Sequence, residues 1–126
     1  MVQVPPFLLR RLYVKGSLRN TPEGFQFELM NTLGAGFAER LLPVTLDGEP
    51  LPVEECWFSV QDAPEPFPFS QVTPEKTFTL AMNKATTIIV RGWRLSEGQH
   101  SVGLGFEVVG LGPMSFEVTD VVANAS

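Results

Sequence analysis

The sequence predicts an all-β fold, namely an antiparallel, immunoglobulin-like β-sandwich of roughly eight strands. Apolar and polar residues alternate with a period of two between Arg11 and Val122, and clusters of turn-forming residues interrupt this alternation. No segment shows a helical period over a useful length. A small β-barrel is the alternative. The 126 residues fit a single domain spanning 1–126, which is long enough to bury a core without disulfides or metals.

The strands are predicted from the apolar phase of each alternating segment. In chain order these segments contain Leu12 and Val14; Phe25, Phe27 and Leu29; Val44 and Leu46; Cys56, Phe58 and Val60; Phe78, Leu80 and Met82; Ile88 and Val90; Val102, Leu104, Phe106 and Val108; and Met114, Phe116 and Val118. We expect one core between two sheets, formed by Phe27, Leu46, Phe58, Leu80, Val90, Leu104, Phe106 and Phe116.

Glycine, proline, asparagine and aspartate mark the connections between these strands. The clearest signal is Asp47-Gly48, because both residue types accept the positive φ that a tight hairpin turn requires. Further turns are predicted at 20–24, 96–98 and 110–113. Segment 32–42 is predicted to be a loop because of Gly34 and Gly36, although 37–41 could form one helical turn.

Composition excludes several classes of protein. The net charge of −5 argues against nucleic-acid binding, which needs a basic surface to neutralise phosphates. No apolar run approaches the roughly 20 residues of a membrane span, and the first nine residues do not resemble a signal peptide. A single cysteine cannot form an intrachain disulfide, which suits a reducing compartment, and we expect a cytoplasmic protein.

Residues that could carry catalysis are few. The only histidine, His100, starts a strand after a turn, where we expect it to hydrogen-bond that turn rather than act as a base. The only cysteine, Cys56, falls on the apolar phase and is predicted to be an inert core thiol. Glu54 and Glu55, near Asp47 and Glu49, are interpreted as a solvated acidic rim. We therefore predict no catalytic residue, no metal site and no cofactor.

Two segments depart from the regular pattern. The proline-rich segment 63–69 is predicted to be an extended, polyproline-like loop that presents Phe67 and Phe69, either capping the core or contacting a partner. Gly103 and Gly105 alternate with core residues and should face outward. We expect Trp93 to cover these glycines. A ligand or a neighbouring subunit lying flat on them is the alternative.

Several aromatic and apolar residues fall on the phase opposite to the core. Together with the two segments above they define a candidate interaction surface: Tyr13, Trp57, Phe67, Phe69, Ile89, Trp93, Gly103 and Gly105. The high apolar content and the open edges of a sandwich predict that part of this surface, around Arg10–Leu18 and Trp93, is buried in a homo-oligomer or on a larger subunit.

The order of motifs along the chain resembles a known family. Leu18-Arg19-Asn20 precedes the strand Gly24–Glu28, the segment Val44–Glu49 follows, and Leu95–Val102 leads into the last pair of strands. This arrangement is similar to the small β-subunit family of bacterial C-glycoside deglycosidases and covers most of the chain. The resemblance implies a β-sandwich that docks on a metal-dependent TIM-barrel subunit, which carries the catalytic residues.

Two functional classes follow from the sequence. The chain is expected to be a non-catalytic accessory subunit that docks on a larger enzyme. The alternative is a self-assembling module, or one that binds a sugar-like or other small ligand through Tyr13, Trp57 and Trp93.

Overall fold

The computed structural model describes residues 5–34, 36–61 and 63–123, and in these residues it forms two antiparallel β-sheets. A four-residue helix α1 (Pro6–Leu9) and a 3₁₀ turn (Arg10–Leu12) open this part of the chain. The strands are β1 (Arg19–Asn20), β2 (Gly24–Met30), β3 (Gly36–Leu41), β4 (Thr45–Leu46), β5 (Glu49–Pro50), β6 (Cys56–Val60), β7 (Ala63–Pro68), β8 (Phe78–Leu80), β9 (Ala85–Arg91), β10 (Gln99–Val108) and β11 (Gly112–Val121). Two further 3₁₀ turns span Val53–Glu55 and Phe69–Gln71.

The two sheets pack face to face. The first has the strand order β1-β2-β9-β6-β7. The second is organised around β10, which pairs with β11 along its whole length and with β4 and β3, one after the other, along its opposite edge. Strands β5 and β8 extend this sheet outward from β4 and β3. The predicted all-β sandwich is confirmed, and the described residues form two separate sheets instead of the alternative barrel.

The core lies between the sheets where the alternation predicts it. Among the expected core residues, Phe27, Phe58, Val90, Leu104, Phe106 and Phe116 are all buried. Leu46 is half-buried and packs against this core, while the side chain of Leu80 lies outside the described part of the structure. The turn at Asp47-Gly48 is also confirmed, since both residues adopt positive φ (50° and 87°) between β4 and β5.

Segment 32–42 is not a loop, because most of it forms β3. The pairing of β3 with β10 shifts register between Arg40 and Ala38, which are opposite Glu107 and Val108. The extra residue of this bulge brings Ala38 and Leu41 to the same buried side, three positions apart. The period of two is therefore absent from the sequence, and the prediction of a loop was wrong.

The proline-rich segment was also mispredicted, because 63–68 forms the edge strand β7 against β6. Its three prolines, Pro64, Pro66 and Pro68, have no N–H group to donate, and the β6–β7 pairing shifts register between Phe58 and Val60. An edge strand pairs along one side only, so it tolerates residues without an N–H better than a central strand does. Alternation of proline with other residues is thus compatible with an edge strand.

The segment around Leu12 and Val14 was predicted to be a strand and instead forms the 3₁₀ turn followed by a single bridge between Tyr13 and Leu29. The Tyr13 side chain fixes this segment to the last strand. Its hydroxyl donates to Asp120 Oδ2 at 2.6 Å, and the Gly16 N–H donates to the same oxygen at 2.8 Å. Helix α1 therefore lies beside β11 at a defined position.

Candidate interaction surfaces

The most exposed apolar surface lies at one end of the sandwich. Three connections meet there: the β2–β3 loop, the β8–β9 turn and the tip of the β10–β11 hairpin, with α1 beside them. We call this surface the apolar end and define it by its exposed large apolar side chains: Phe7, Leu33, Phe37, Met82, Val109 and Leu111. Among them Phe7, Phe37 and Val109 expose 64%, 54% and 52% of their area.

A groove of ≈ 240 Å³ opens at the apolar end between α1 and the connections. Leu9 and Leu12 form one wall, and Leu33 and Leu111 lie across from them. Among the residues that the structure describes, no charged side chain lines the groove, and Asn31 contributes a polar side chain to its wall. The groove is thus apolar although the protein carries a net negative charge.

Hydrogen bonds hold the connections of the apolar end in place. Asn31 Oδ1 accepts the N–H groups of Leu33 at 3.1 Å and Gly34 at 3.3 Å, and Asn31 Nδ2 donates to the Gly34 carbonyl at 2.9 Å. The Asn31 carbonyl accepts the N–H of Asn83 at 2.8 Å, which joins this loop to the β8–β9 turn. The side chain of one buried asparagine therefore organises the loop that presents Leu33.

The tip of the β10–β11 hairpin is fixed in a similar way. The N–H of Val109 donates to the Phe37 carbonyl at 3.0 Å, and the N–H of Leu111 donates to the Val108 carbonyl at 3.0 Å. Gly110 and Gly112 both have positive φ, which lets the backbone turn sharply on either side of Leu111. Val109 and Phe37 are consequently held side by side on the surface.

His100 forms the second polar cluster of interest, at the Asp47-Gly48 turn. Its Nδ1–H donates to Asp47 Oδ2 at 2.8 Å, while Asp47 Oδ1 accepts the Ser101 N–H at 2.9 Å. The other ring nitrogen, Nε2, lies 3.0 Å from the Ser96 carbonyl and 3.2 Å from Ser96 Oγ. The prediction that His100 hydrogen-bonds the turn beside it is confirmed.

The order Asp47–His100–Ser96 resembles that of a hydrolase triad, but its protonation argues for a structural role. The hydrogen bond to Asp47 raises the pKa of His100 above its usual value, and the Ser96 carbonyl acts in the same direction. The hydrogen bonds of Asp47, first with Ser101 and then with His100, lower the pKa of the Asp47 carboxyl. The Ser96 carbonyl can only accept a hydrogen bond, so Nε2, 3.0 Å from it, carries a hydrogen and has no lone pair with which to take a proton from the serine hydroxyl.

Other reactive groups are sparse. Within the described ranges, no group of three or more His, Cys, Asp or Glu side chains lies close enough together to hold a metal ion. Cys56 is fully buried, as predicted, and burial raises the pKa of its thiol, which favours the unreactive protonated form. None of the described helices is long and apolar enough to cross a membrane.

The residues of the predicted interaction surface do not converge on one site. Tyr13 is half-buried with its ring against Phe27 (centroids 5.7 Å apart), and Trp93 packs partly buried against the core. Trp57 and Ile89 lie opposite each other on the outer face of the first sheet. The Arg91 guanidinium lies 4.1 Å from the Trp57 ring centroid, so it covers one of the two ring faces on which a sugar could stack.

Phe67 and Phe69 have different environments. Phe67 is 36% exposed, opposite Phe58 on the adjacent strand. Phe69 is only 1% exposed because the chain turns there in 3₁₀ conformation and its ring packs 6.3 Å from that of Phe58. Phe69 therefore packs into the core, as the capping alternative predicts, and it is not available to contact a partner.

Gly103 and Gly105 lie on the outward phase of β10, but side chains of this same chain cover them. A Cβ at Gly103 would overlap Thr45 Oγ1, and a Cβ at Gly105 would lie 2.9 Å from Leu42 Cδ1. The expected cover, Trp93, does not contribute any of the nearest atoms. The glycines therefore let the β3–β4 segment pack closely on β10.

Sequence reasoning missed the residues of the apolar end, although one signal was present. Leu33 lies inside the predicted loop 32–42 and Leu111 inside the predicted turn 110–113, which Val109 directly precedes, and each of these large apolar residues is next to a glycine. Turns usually expose polar residues, so apolar residues at their tips indicate a surface that contacts another molecule.

Comparison with known proteins identifies the family. A family model described as the hydroxymethylglutaryl-CoA reductase N-terminal domain matches residues 8–123, whereas no curated protein matches the chain significantly. The resemblance to C-glycoside deglycosidase β-subunits was therefore wrong, because motifs such as a polar turn leading into a strand occur in many β-sandwiches. Docking on a TIM-barrel enzyme, which that resemblance implied, stays an untested prediction. The match covers nearly all of the chain, which therefore belongs to the hydroxymethylglutaryl-CoA reductase N-terminal domain family.

Proposed function

We propose that this domain is a non-catalytic interaction module that docks through its apolar end on the catalytic unit of a hydroxymethylglutaryl-CoA reductase. The family description supports a reductase catalytic unit as the partner. The surface is supplied by the six exposed apolar side chains gathered at one end of the sandwich. The chain has one histidine and one cysteine, and the cysteine is buried. This scarcity of reactive side chains is compatible with an accessory role.

The concentration of apolar residues at this end is the observation that carries the proposal. Soluble monomers rarely expose large contiguous apolar surfaces, and such surfaces commonly mark interaction sites. The centre of a protein interface is typically depleted in charge and rich in aromatic residues and methionine. The uncharged groove and the exposed Phe7, Phe37 and Met82 fit that composition.

The rigidity of the apolar end also supports docking. The Asn31 hydrogen bonds, the Val109–Phe37 bond and the glycines of the hairpin tip hold the apolar side chains in place before any partner arrives. A preorganised surface loses less conformational entropy on association than a flexible one.

The location of the complex follows from its cysteine content. The single buried cysteine suits a reducing compartment, and we propose that the complex is cytoplasmic.

The test is a titration between two separately purified proteins, this domain and the reductase catalytic unit of the same organism, followed by calorimetry. We expect saturable binding by the wild type. Val109→Asp should weaken it roughly tenfold or more, because a carboxylate would be desolvated at the interface without a partner. Val121→Asp is the matched control, since Val121 is equally exposed (59%) but lies at the opposite end of β11.

Two outcomes would overturn the proposal. The first is a catalytic unit that does not bind the wild-type domain, or that binds Val109→Asp and Val121→Asp equally well. The second is a stable dimer of the domain alone that Val109→Asp abolishes, without any binding of the reductase. That result would assign the apolar end to self-association.

A further inference from the structure

A second cavity, which shares no lining residue with the groove of the apolar end, opens along one side of the sandwich and reaches Thr79, the ladder partner of Phe37. It lies between β6–β7 of the first sheet and β8 of the second, under the segment that crosses from one sheet to the other, and has a volume of ≈ 300 Å³. We call it the lateral groove. It is lined by Phe58, Val60, Phe67, Gln71, Val72, Lys76, Thr77, Phe78 and Thr79.

The inner wall of the lateral groove is aromatic. The Phe58 ring lies 4.6 Å from the Phe78 ring and 5.9 Å from the Phe67 ring, measured between centroids. Phe58, Val72 and Phe78 are buried, whereas Phe67 stands at the mouth and is 36% exposed. Such a wall favours an apolar ligand that displaces water from the ring faces.

Among the described residues that line the lateral groove, Lys76 is the charged one, while the exposed Glu75 precedes it in the chain but does not line the groove. Lys76 lies there among exposed, uncharged polar residues, and within the described part of the chain it forms no ion pair. Its backbone is fixed in a tight turn, since the Lys76 N–H donates to the Thr73 carbonyl at 3.0 Å and the Thr73 N–H donates to the Lys76 carbonyl at 3.1 Å. A lysine whose backbone is held beside an apolar groove favours a ligand with an anionic head group.

The edges of the lateral groove argue against occupation by a strand of another chain. On the β7 side, three of the six residues of the edge strand, Pro64, Pro66 and Pro68, have no N–H group to donate. On the other side, β8 has only three residues. Neither edge offers the row of donors and acceptors that strand addition needs, so a small molecule fits the opening better.

We propose that the lateral groove binds a short apolar carboxylate, with the hydrocarbon part against the phenylalanine rings and the carboxylate beside Lys76. A water-sized group occupies about 30 Å³, so the groove accommodates about ten non-hydrogen atoms. Octanoate has this size. The proposal does not rest on the proposed docking, because the two grooves have different lining residues.

The test is a titration of the purified domain with octanoate, followed by backbone amide chemical shifts. We expect saturable shift changes confined to the segments around Phe67, Val72 and Lys76, with none at Val109 or Leu111. Lys76→Glu should weaken octanoate binding about fivefold, because an exposed charge pair is lost and replaced by repulsion. Lys15→Glu is the matched control, since Lys15 is an exposed lysine outside the lateral groove.

The uncharged analogue octan-1-ol separates the contribution of the head group from that of the chain. Its affinity should be the same for the wild type and for Lys76→Glu, while Phe67→Ala should weaken both ligands. The proposal is overturned if octanoate does not saturate, if its shift changes fall at the apolar end, or if Lys76→Glu binds octanoate as well as Lys15→Glu does.

Discussion

Substitution of Gly103 by alanine tests whether side chains of this same chain cover the outer face of β10. A Cβ at this position would overlap Thr45 Oγ1 and would lie 3.0 Å from the backbone carbonyl oxygen of Phe116. The carbonyl belongs to the β10–β11 ladder, so it cannot move away without disturbing the pairing of Gly103 with Glu117. The Thr45 side chain is itself held on the strand that pairs with Gly103 on the other side.

The size of the effect follows from two opposing contributions. Overpacking of a tightly packed site typically costs about 1–3 kcal/mol. Replacement of a strand glycine by alanine returns about 0.5–1 kcal/mol, because alanine loses less backbone entropy on folding. We therefore expect Gly103→Ala to lower the free energy of unfolding by about 1–2 kcal/mol.

Gly36 provides the matched control, since it lies in β3 of the same sheet. The nearest atom to a Cβ there is Val108 Cγ1 at 3.8 Å, which is an ordinary contact, so Gly36→Ala should be neutral or stabilising by up to about 0.5 kcal/mol. Urea unfolding measures both variants, and their midpoints should differ by roughly 1 M. Thr45→Ala combined with Gly103→Ala should cost less than the sum of the single changes. A Gly103→Ala protein as stable as the wild type would refute the close packing of Thr45 on β10.

Three further predictions concern the polar and reactive groups. The pKa of His100 is higher in the folded state, so its contribution to stability should be complete below about pH 6.5 and should be lost as the pH rises through that higher value. Urea unfolding of His100→Ala should therefore show a loss of roughly 1 kcal/mol at low pH that shrinks at high pH. A pH-independent loss would contradict the hydrogen bond between His100 and Asp47. Burial opposes the ionisation of Asp120, but the hydrogen bonds from Tyr13, Gly16 and Val121 outweigh the effect of burial and lower the pKa of the carboxyl. Asp120→Asn should therefore lower the free energy of unfolding by about 1–3 kcal/mol at neutral pH and by less as the pH falls below about 4. Equal losses at both pH values would argue against an ionised Asp120. Cys56 should not react with a thiol reagent in native conditions and should react at once in urea, whereas rapid native labelling would show that the thiol is not buried.

The strands that the sequence predicted best are those whose pairing is regular. Strands β10 and β11 pair residue for residue over ten positions, and β2 and β9 over seven, so the same side of each strand faces the core along its length and is the more buried side. A regular ladder converts burial directly into a period of two along the chain. The Asp47-Gly48 turn was predictable for an equally local reason, which is the positive φ of both residues.

The elements that were missed depend on neighbours that are distant in sequence. Strand β3 lost its period of two because the bulge opposite Glu107 and Val108 shifts its register. Strand β7 was not predicted because it contains three prolines, which are acceptable mainly at the edge of a sheet. The sequence alone does not tell which strand lies at an edge. The apolar end required the fold to bring Leu33 and Leu111 together from positions that are 78 residues apart in the numbering.

Hydrogen–deuterium exchange of the domain, free and mixed with the reductase catalytic unit, tests the proposed docking most directly. Amides 31–34 and 109–111 lie at the apolar end, and those of the Asp47–Glu49 turn lie outside it. Docking through the apolar end predicts slower exchange in the complex at both apolar-end segments and unchanged exchange at the turn. Slower exchange at the turn with none at 31–34 and 109–111, or no change anywhere, would contradict docking through the apolar end.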